Sequence, residues 1–200
     1  MEQYSVDGRG RSGVYITIAL AAIALAYVTR SAVATAGFVL PWWFDAPSFA
    51  GFYAAGNLIF DRWLWRVRIF GFRFSEIPDF GGDWEGRIAE ASSADGPSDV
   101  PLTVQIRQTW TQISVFGRTK HGTTISKIAG VRIDDRELRY EYERRGNILH
   151  EHHVGFCVQR LTAGDEIEGS YYTLAAGAVP SISSFGTTHL HRAAPGRADC

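Results

Sequence analysis

Leu40–Arg66 reads LPWWFDAPSFAGFYAAGNLIFDRWLWR, and it divides the chain into two unlike parts. It opens on a Pro-Trp-Trp turn with a single acid, Asp45, and then runs apolar. It closes on Asp61, Arg62, Trp63, Trp65 and Arg66. Ala46–Trp65 would measure about 30 Å as a helix, which matches the hydrocarbon core of a bilayer. Tryptophans at both ends suit a membrane–water interface, because an indole joins an apolar body to one N–H that seeks water.

Upstream, Val14–Thr29 is apolar throughout and ends on Arg30, whose stem can lie in hydrocarbon while its guanidinium reaches the headgroups. The expected first helix covers Gly13–Gly37 and the second Pro47–Trp65, with Pro41 stopping the first. The reading is a polar, flexible tail over residues 1–12 and a two-helix transmembrane hairpin over 13–65. A cleaved leader is the alternative, with Arg9 and Arg11 as its basic flank and Ala34-Thr35-Ala36 as its cleavage site. The second long apolar run argues against it. Gly51, Gly56 and Asn57 fall on helix 2, where small residues permit close helix contact and an amide can bond across helices. They are the candidate oligomerisation residues. Arginines flank both helices on the side of the termini, and the connecting turn has none. The positive-inside rule therefore places both termini and everything after residue 66 in the cytoplasm, at the inner membrane.

The chain has 200 residues, a net charge of -1 and a mean hydropathy of -0.08, an average over two dissimilar parts. That balance gives no case for binding a DNA or RNA polymer. The two cysteines, Cys157 and Cys200, form no disulfide framework and read as free thiols in a reducing compartment.

After a linker over residues 66–78 the period changes to strand alternation. Strands are expected at Gly82–Ala91, Leu102–Gly117, Thr123–Ile133, Glu137–Arg144, His153–Leu161, Glu166–Ala175 and Thr187–Arg192. Gly and Asp turns separate them, and Leu102–Gly117 is long enough to bend into two near Thr111. The fold class is therefore an N-terminal helical hairpin followed by a small all-β antiparallel barrel of seven or eight strands, lipocalin-like, over residues 79–193. Residues 194–200 form a tail. Closure is the economical solution because it removes exposed edges. Gly82-Asp83-Trp84 resembles the start of a lipocalin-type barrel, which implies that the tryptophan plugs the closed end.

Alternation assigns faces. Leu138, Tyr140, Tyr142 and Arg144 share the inward face of their strand, as do Ile167, Tyr171 and Thr173 on theirs, and Leu102, Val104, Ile106, Gln108 and Trp110 on a third. Tyrosines and a glutamine converging inside a barrel suggest a pocket rather than a core built for stability alone, since an unpaired buried polar group costs about 1–3 kcal/mol. An eight-stranded barrel is wide enough for one small ligand. In the His150, His152 and His153 cluster, His150 and His152 would share a strand face, but no third ligand of the convergent set that a metal site needs is identifiable at short range. No HExxH, P-loop, GxGxxG or serine-triad pattern is present. No catalytic residue, metal or cofactor is expected.

Together, PWWFDAPSFAGFYAAGNLIFDRWLWR, IPDFGGDWEGRI, HVG, GSYYT and the final HLHR resemble one family over nearly the whole chain. It is the two-transmembrane, β-strand-rich effectors of bacterial cyclic-oligonucleotide antiphage systems (CBASS). The resemblance implies a barrel that binds a cyclic dinucleotide made by a partner nucleotidyltransferase (a CD-NTase). It also implies self-association on binding, after which the clustered hairpins damage the lipid bilayer and kill the infected cell. For such a ligand, Trp110, Tyr140, Tyr142 and Tyr171 are stacking candidates, worth about 1–3 kcal/mol per base. Gln108, Ser126 and Thr173 are candidates for base edges, and Arg144 and Arg192 for the phosphodiesters. A membrane-tethered carrier of a lipid or other hydrophobic ligand is the alternative from a different class. An inert anchor or interaction protein is a third.

Overall fold

The computed structural model describes residues 2–7, 11–37, 41, 45–69, 72–91, 98–120, 122–146, 152–162, 166–175 and 181–193. In chain order the elements begin with β1 (Glu2–Gln3), β2 (Ser5–Asp7), α1 (Ser12–Thr35), α2 (Asp45–Arg62), β3 (Arg68–Ile69) and β4 (Phe72–Arg73). There follow β5 (Gly82–Glu90), β6 (Ser98–Gln108), β7 (Gln112–Thr119), β8 (Gly122–Arg132), β9 (Glu137–Gly146), β10 (His152–Leu161), β11 (Glu166–Ala175) and β12 (Ser181–Arg192). Two compact units emerge: residues 9–75, and residues 1–8 together with 76–200.

In the helical unit, α1 lies within two residues of its expected ends and continues past Arg30. Ile16, Leu20, Ile23, Tyr27 and Val28 on α1 are all more than half exposed, an apolar surface that suits lipid far better than water. Among the described residues, α1 is the one helix long and apolar enough to cross a membrane. The expectation of two spans meets a limit at α2. It has 18 residues, starts on Asp45, ends on Asp61 and Arg62, and carries Ser48 and Asn57 in between. The Trp63–Arg66 segment leaves the α-helix for a 3-10 turn, in which Trp65 is buried with the Arg66 guanidinium 4.9 Å from its ring centre.

Gly56 permits the approach of the two helices, since a Cβ there would sit 3.0 Å from Ile18 Cγ2. Gly51 faces open space. The Asn57 amide donates to the Tyr53 carbonyl at 2.8 Å, one turn back in its own helix rather than across to a partner.

In the second unit β5–β12 form an antiparallel barrel of eight strands in sequential order, closed by β12 pairing back onto β5 with Leu190 opposite Gly86. The expected bend near Thr111 is a tight hairpin: Thr109 N donates to Gln112 O at 2.7 Å, and Gln112 N donates to Thr109 Oγ1 at 3.0 Å. β8 carries a bulge between Ser126 and Ile128, which turns both Lys127 and Ile128 outward.

One seam is closed differently. β7 and β8 pair only where Phe116–Thr119 meets Gly122–Ile125. Beyond that the two strands part, and the N-terminal residues enter between them. β1 runs antiparallel to β7, with Gln3 opposite Gln112, and β2 runs parallel to β8, with Val6 opposite Val131. Tyr4, between them, is buried, and its hydroxyl donates to the Trp110 carbonyl at 2.9 Å. The start of the chain was expected to be a flexible tail, yet residues 2–7 complete the sheet. Two diverging strands leave unpaired N–H and C=O groups, and a short segment of any composition can satisfy them.

Replacing Tyr4 by alanine should therefore lower stability by about 3–5 kcal/mol, the range for deleting a large buried aromatic. Tyr4→Phe should lose only about 1 kcal/mol, for one hydrogen bond. Denaturant midpoints of the full chain in detergent micelles, followed by tryptophan fluorescence, measure both.

Candidate functional site

Eight strands of alternating pattern make a tube, and the tube is filled at one end. Trp84 and Phe80 are fully buried there. The Trp84 indole N–H donates to the Phe80 carbonyl at 2.9 Å, and the Arg192 guanidinium lies 4.6 Å from the Trp84 ring centre. Arg192 also donates to the Gly81 carbonyl at 2.7 Å. Gln108 is clamped at the same end, accepting from Phe80 N at 2.8 Å and donating to the Pro78 carbonyl at 3.1 Å.

Four of the nine residues expected to meet a ligand thus stand elsewhere. Gln108 and Arg192 belong to the plug. Trp110 is buried beneath Tyr4. Ser126 accepts the Val115 N–H at 2.9 Å, a contact that bridges β7 and β8 where their pairing ends. Alternation had correctly turned Gln108 and Trp110 inward. It carried no information on which end of an antiparallel neighbour each would meet.

The other five come together. Tyr140, Tyr142, Arg144, Tyr171 and Thr173 line a cavity of about 110 Å³ in the unplugged half of the barrel, floored on one side by Leu102 and Val104. Tyr142 is fixed by a 2.8 Å hydrogen bond between its hydroxyl and Thr173 Oγ1, and its ring lies 6.3 Å from that of Tyr140 at a 56° tilt. Gly155, opposite Tyr142 on β10, makes the room: a Cβ there would overlap the Tyr142 ring. Sequence reasoning did not single out Gln159, Thr188, Ser184, Glu90 or Cys157, which also line the cavity. Gln159 was within reach, since Gly155, Cys157, Gln159 and Leu161 alternate inward along a strand whose faces had not been assigned.

The cavity is uncharged apart from Arg144 and Glu90. Burial pushes Tyr140 well above the ordinary phenol value, reinforced by the neighbouring Cys157. Burial also pushes Tyr142 to about 12, outweighing the hydrogen bond to Thr173, and Tyr171 to about 12, with Glu90 adding to it. The Cys157 thiol is raised to about 12 by burial against hydrogen bonds from Tyr140 and Gln159. At neutral pH the walls are therefore neutral phenols and a thiol. They can donate hydrogen bonds and stack on a flat ring without repelling an anion. An exposed, nucleophilic cysteine is absent from this cavity, because a thiol so raised is unreactive. Among the described residues, no group of three or more His, Cys, Asp or Glu can hold a metal ion. His150 lies outside the described residues.

A half-plugged barrel with a polar-aromatic cavity is a small-ligand receptor, and comparison with known families gives the ligand's class. Residues 75–192 match the sequence model of the family described as Cap15, cyclic dinucleotide receptor domain. The chain belongs to that family: it is a CBASS effector whose barrel is a cyclic dinucleotide receptor. None of the curated proteins compared with it matches.

The raised phenol and thiol values fix how stability responds to pH. Between the ordinary values (9.0 for Cys157, 10.0 for Tyr142 and Tyr171) and about 12, the folded state holds more protons than the unfolded state. Stability should thus be insensitive to these groups below about pH 9 and fall as pH rises through that window. Urea midpoints at pH 8, 9.5 and 11 test this, and Tyr142→Phe should make the alkaline fall shallower.

Proposed function

We propose that a cyclic dinucleotide enters the unplugged half of the barrel, that binding drives self-association of the chain, and that the helical unit then disrupts the inner membrane. The observation that carries the first step is the convergence of Tyr140, Tyr142 and Tyr171 with Thr173 and Arg144 around one cavity. The tyrosines supply stacking surfaces, and Arg144 supplies a charge-assisted donor for a phosphodiester. A lipid carrier would be expected to line its cavity with aliphatic side chains rather than with three tyrosines and a threonine.

Self-association draws support from the outer surface. Phe156, Tyr172 and Phe185 lie in register across β10, β11 and β12, with Val154 opposite Leu174 in an adjacent row, and each is about two-fifths exposed. A contiguous apolar band across three strands, on a barrel that elsewhere carries charged pairs such as Lys127–Glu143 at 2.9 Å, supports a contact surface. Gly51, open on α2, offers a second place for contact between copies. The helical unit supplies the output: α1 has the length and composition to cross a bilayer. α2 completes the hairpin in this reading, with both termini and the barrel in the cytoplasm and a CD-NTase making the signal. Residues 13–65 are then the membrane hairpin and 79–193 the receptor. Binding with no chemical conversion of the ligand suffices, since no catalytic constellation is needed for the output.

Full-length protein in vesicles of bacterial lipids should release an entrapped dye when cyclic dinucleotide is added, and remain silent with fatty acids. Arg144→Gln should weaken binding about tenfold or more, in line with loss of a charge-assisted hydrogen bond. Phe156→Glu should leave affinity unchanged and abolish both ligand-induced oligomers on crosslinking and dye release. Dye release by fatty acids alone would favour the carrier instead.

A further inference from the structure

Two polar side chains that line the cavity are left short of partners. Gln159 is fully buried, and neither its amide nitrogen nor its amide oxygen reaches a hydrogen-bond partner of ordinary geometry. Its remaining polar interaction is with the Cys157 thiol, a weak group. Thr188 is 2 % exposed, and its hydroxyl is equally unpartnered. Both residues line the cavity.

They are also neighbours by construction. Gln159 stands opposite Gly169 across β10 and β11, and Gly169 opposite Thr188 across β11 and β12. Gly169 lets β10 and β11 approach closely, since a Cβ there would overlap the Val158 carbonyl oxygen and sit 3.1 Å from Gln159 Cγ. An amide and a hydroxyl therefore line one cavity from the two strands that flank β11. Buried polar groups in native proteins are almost always paired, so such a cluster demands a partner of complementary pattern. A side-chain amide presents a donor beside an acceptor and pairs with a base edge that does the same.

Size narrows the choice. The cavity volume of about 110 Å³ is somewhat below the roughly 150 Å³ of an apolar cavity known to hold one benzene ring. A whole cyclic dinucleotide does not fit in it, and the volume leaves room for no more than one six-membered ring. We propose that a single pyrimidine base of the ligand enters the barrel edge-first and pairs with Gln159 and Thr188. Uracil offers O4 to the amide N–H and its N3–H to the amide oxygen; cytosine offers N3 and its 4-amino group in the opposite sense. Tyr140 and Tyr142 flank the ring, and the sugar–phosphate ring stays at the mouth, beside Arg144. This rests on the ligand class proposed above and adds which base is read and by which atoms.

The test measures affinities of the full chain in detergent micelles for the homodimeric cyclic dinucleotides of uracil, cytosine, adenine and guanine, and for mixed pyrimidine–purine ligands. Ligands with at least one pyrimidine should bind tenfold or more tightly than those with two purines. Gln159→Met, close in volume, should weaken the pyrimidine ligands by about ten- to a hundredfold, the discrimination typical of one bidentate pair, and level the panel. Gln159→Glu, which only accepts, should keep one of the two bonds and weaken uracil and cytosine ligands alike. Thr188→Val, which removes only the hydroxyl, should weaken pyrimidine ligands several-fold and answers the same question if the Gln159 variants fail to fold. Tighter binding of the two-purine ligands by wild type, or an unchanged panel in the variants, would overturn the proposal while leaving the receptor reading intact. No binding of any cyclic dinucleotide would instead defeat that reading.

Discussion

A barrel of eight strands has a fixed bore, and what this one can hold depends on where its filling stops. The plug is made by Trp84, Phe80 and Arg192, with Gln108 tying the incoming Pro78–Phe80 segment across the closed end. Each member satisfies another. The indole N–H finds a carbonyl, the arginine covers the indole, and the glutamine amide uses both its donor and its acceptor on backbone. That leaves none of these polar groups free to serve a ligand. The contrast with the other half is chemical as well as spatial. There, the amide of Gln159 and the hydroxyl of Thr188 are as buried as those of the plug and are not satisfied. Two glutamines in one barrel thus have opposite meanings, and hydrogen bonding alone separates them.

The same distinction explains what could be read before the structure. Faces were legible: every residue assigned inward on β6, β9 and β11 points inward, because alternation is a local property of a strand. Ends were not. Whether Gln108 lies level with Tyr140 or with Trp84 depends on register and stagger among strands far apart in sequence, which no local pattern encodes. Half of the proposed site therefore converged and half became plug or seam. The binding glutamine was passed over for a related reason. Gln108 drew attention as a polar residue among aliphatics, while Gln159 sits in a strand with Val154 and Phe156 on its outward face, so hydrophobicity does not separate that strand's two faces.

The helices show the converse limit. Apolar length found α1 correctly and overextended α2, because the tryptophans at 63 and 65 were counted into one continuous helix. The 3-10 turn at Leu64–Arg66 takes Trp65 out of that register and buries it. Hydropathy summed along a chain cannot see such a change of winding, and the 18 residues that remain α-helical carry Asp45, Asp61 and Arg62, so α2 is long enough to span but too polar to be counted as a span on composition.

The N-terminal strand alters what kind of attachment the helical unit has. A tether needs one connection, and Arg66–Phe80 supplies it. Here a second exists, since residues 2–7 are sewn between β7 and β8 and α1 begins at Ser12, five residues after β2 ends. The helical unit is consequently an insertion within the barrel unit, with both of its ends held by strands of one sheet. So short a strand is weakly held by its backbone alone; Tyr4, buried with its hydroxyl on the Trp110 carbonyl, supplies most of the grip. The seam it fills begins beside Ser126, and Ser126 stands opposite Tyr142 across β8 and β9. The cavity wall and the strand that leads into α1 therefore share β8 but not the same end of it: Thr124 lines the cavity, whereas Ser5–Asp7 pair with Gly130–Arg132. With Gln3 beside Gln112 and Val131 opposite Leu138, the first residues of the chain are held on the plugged half of the barrel.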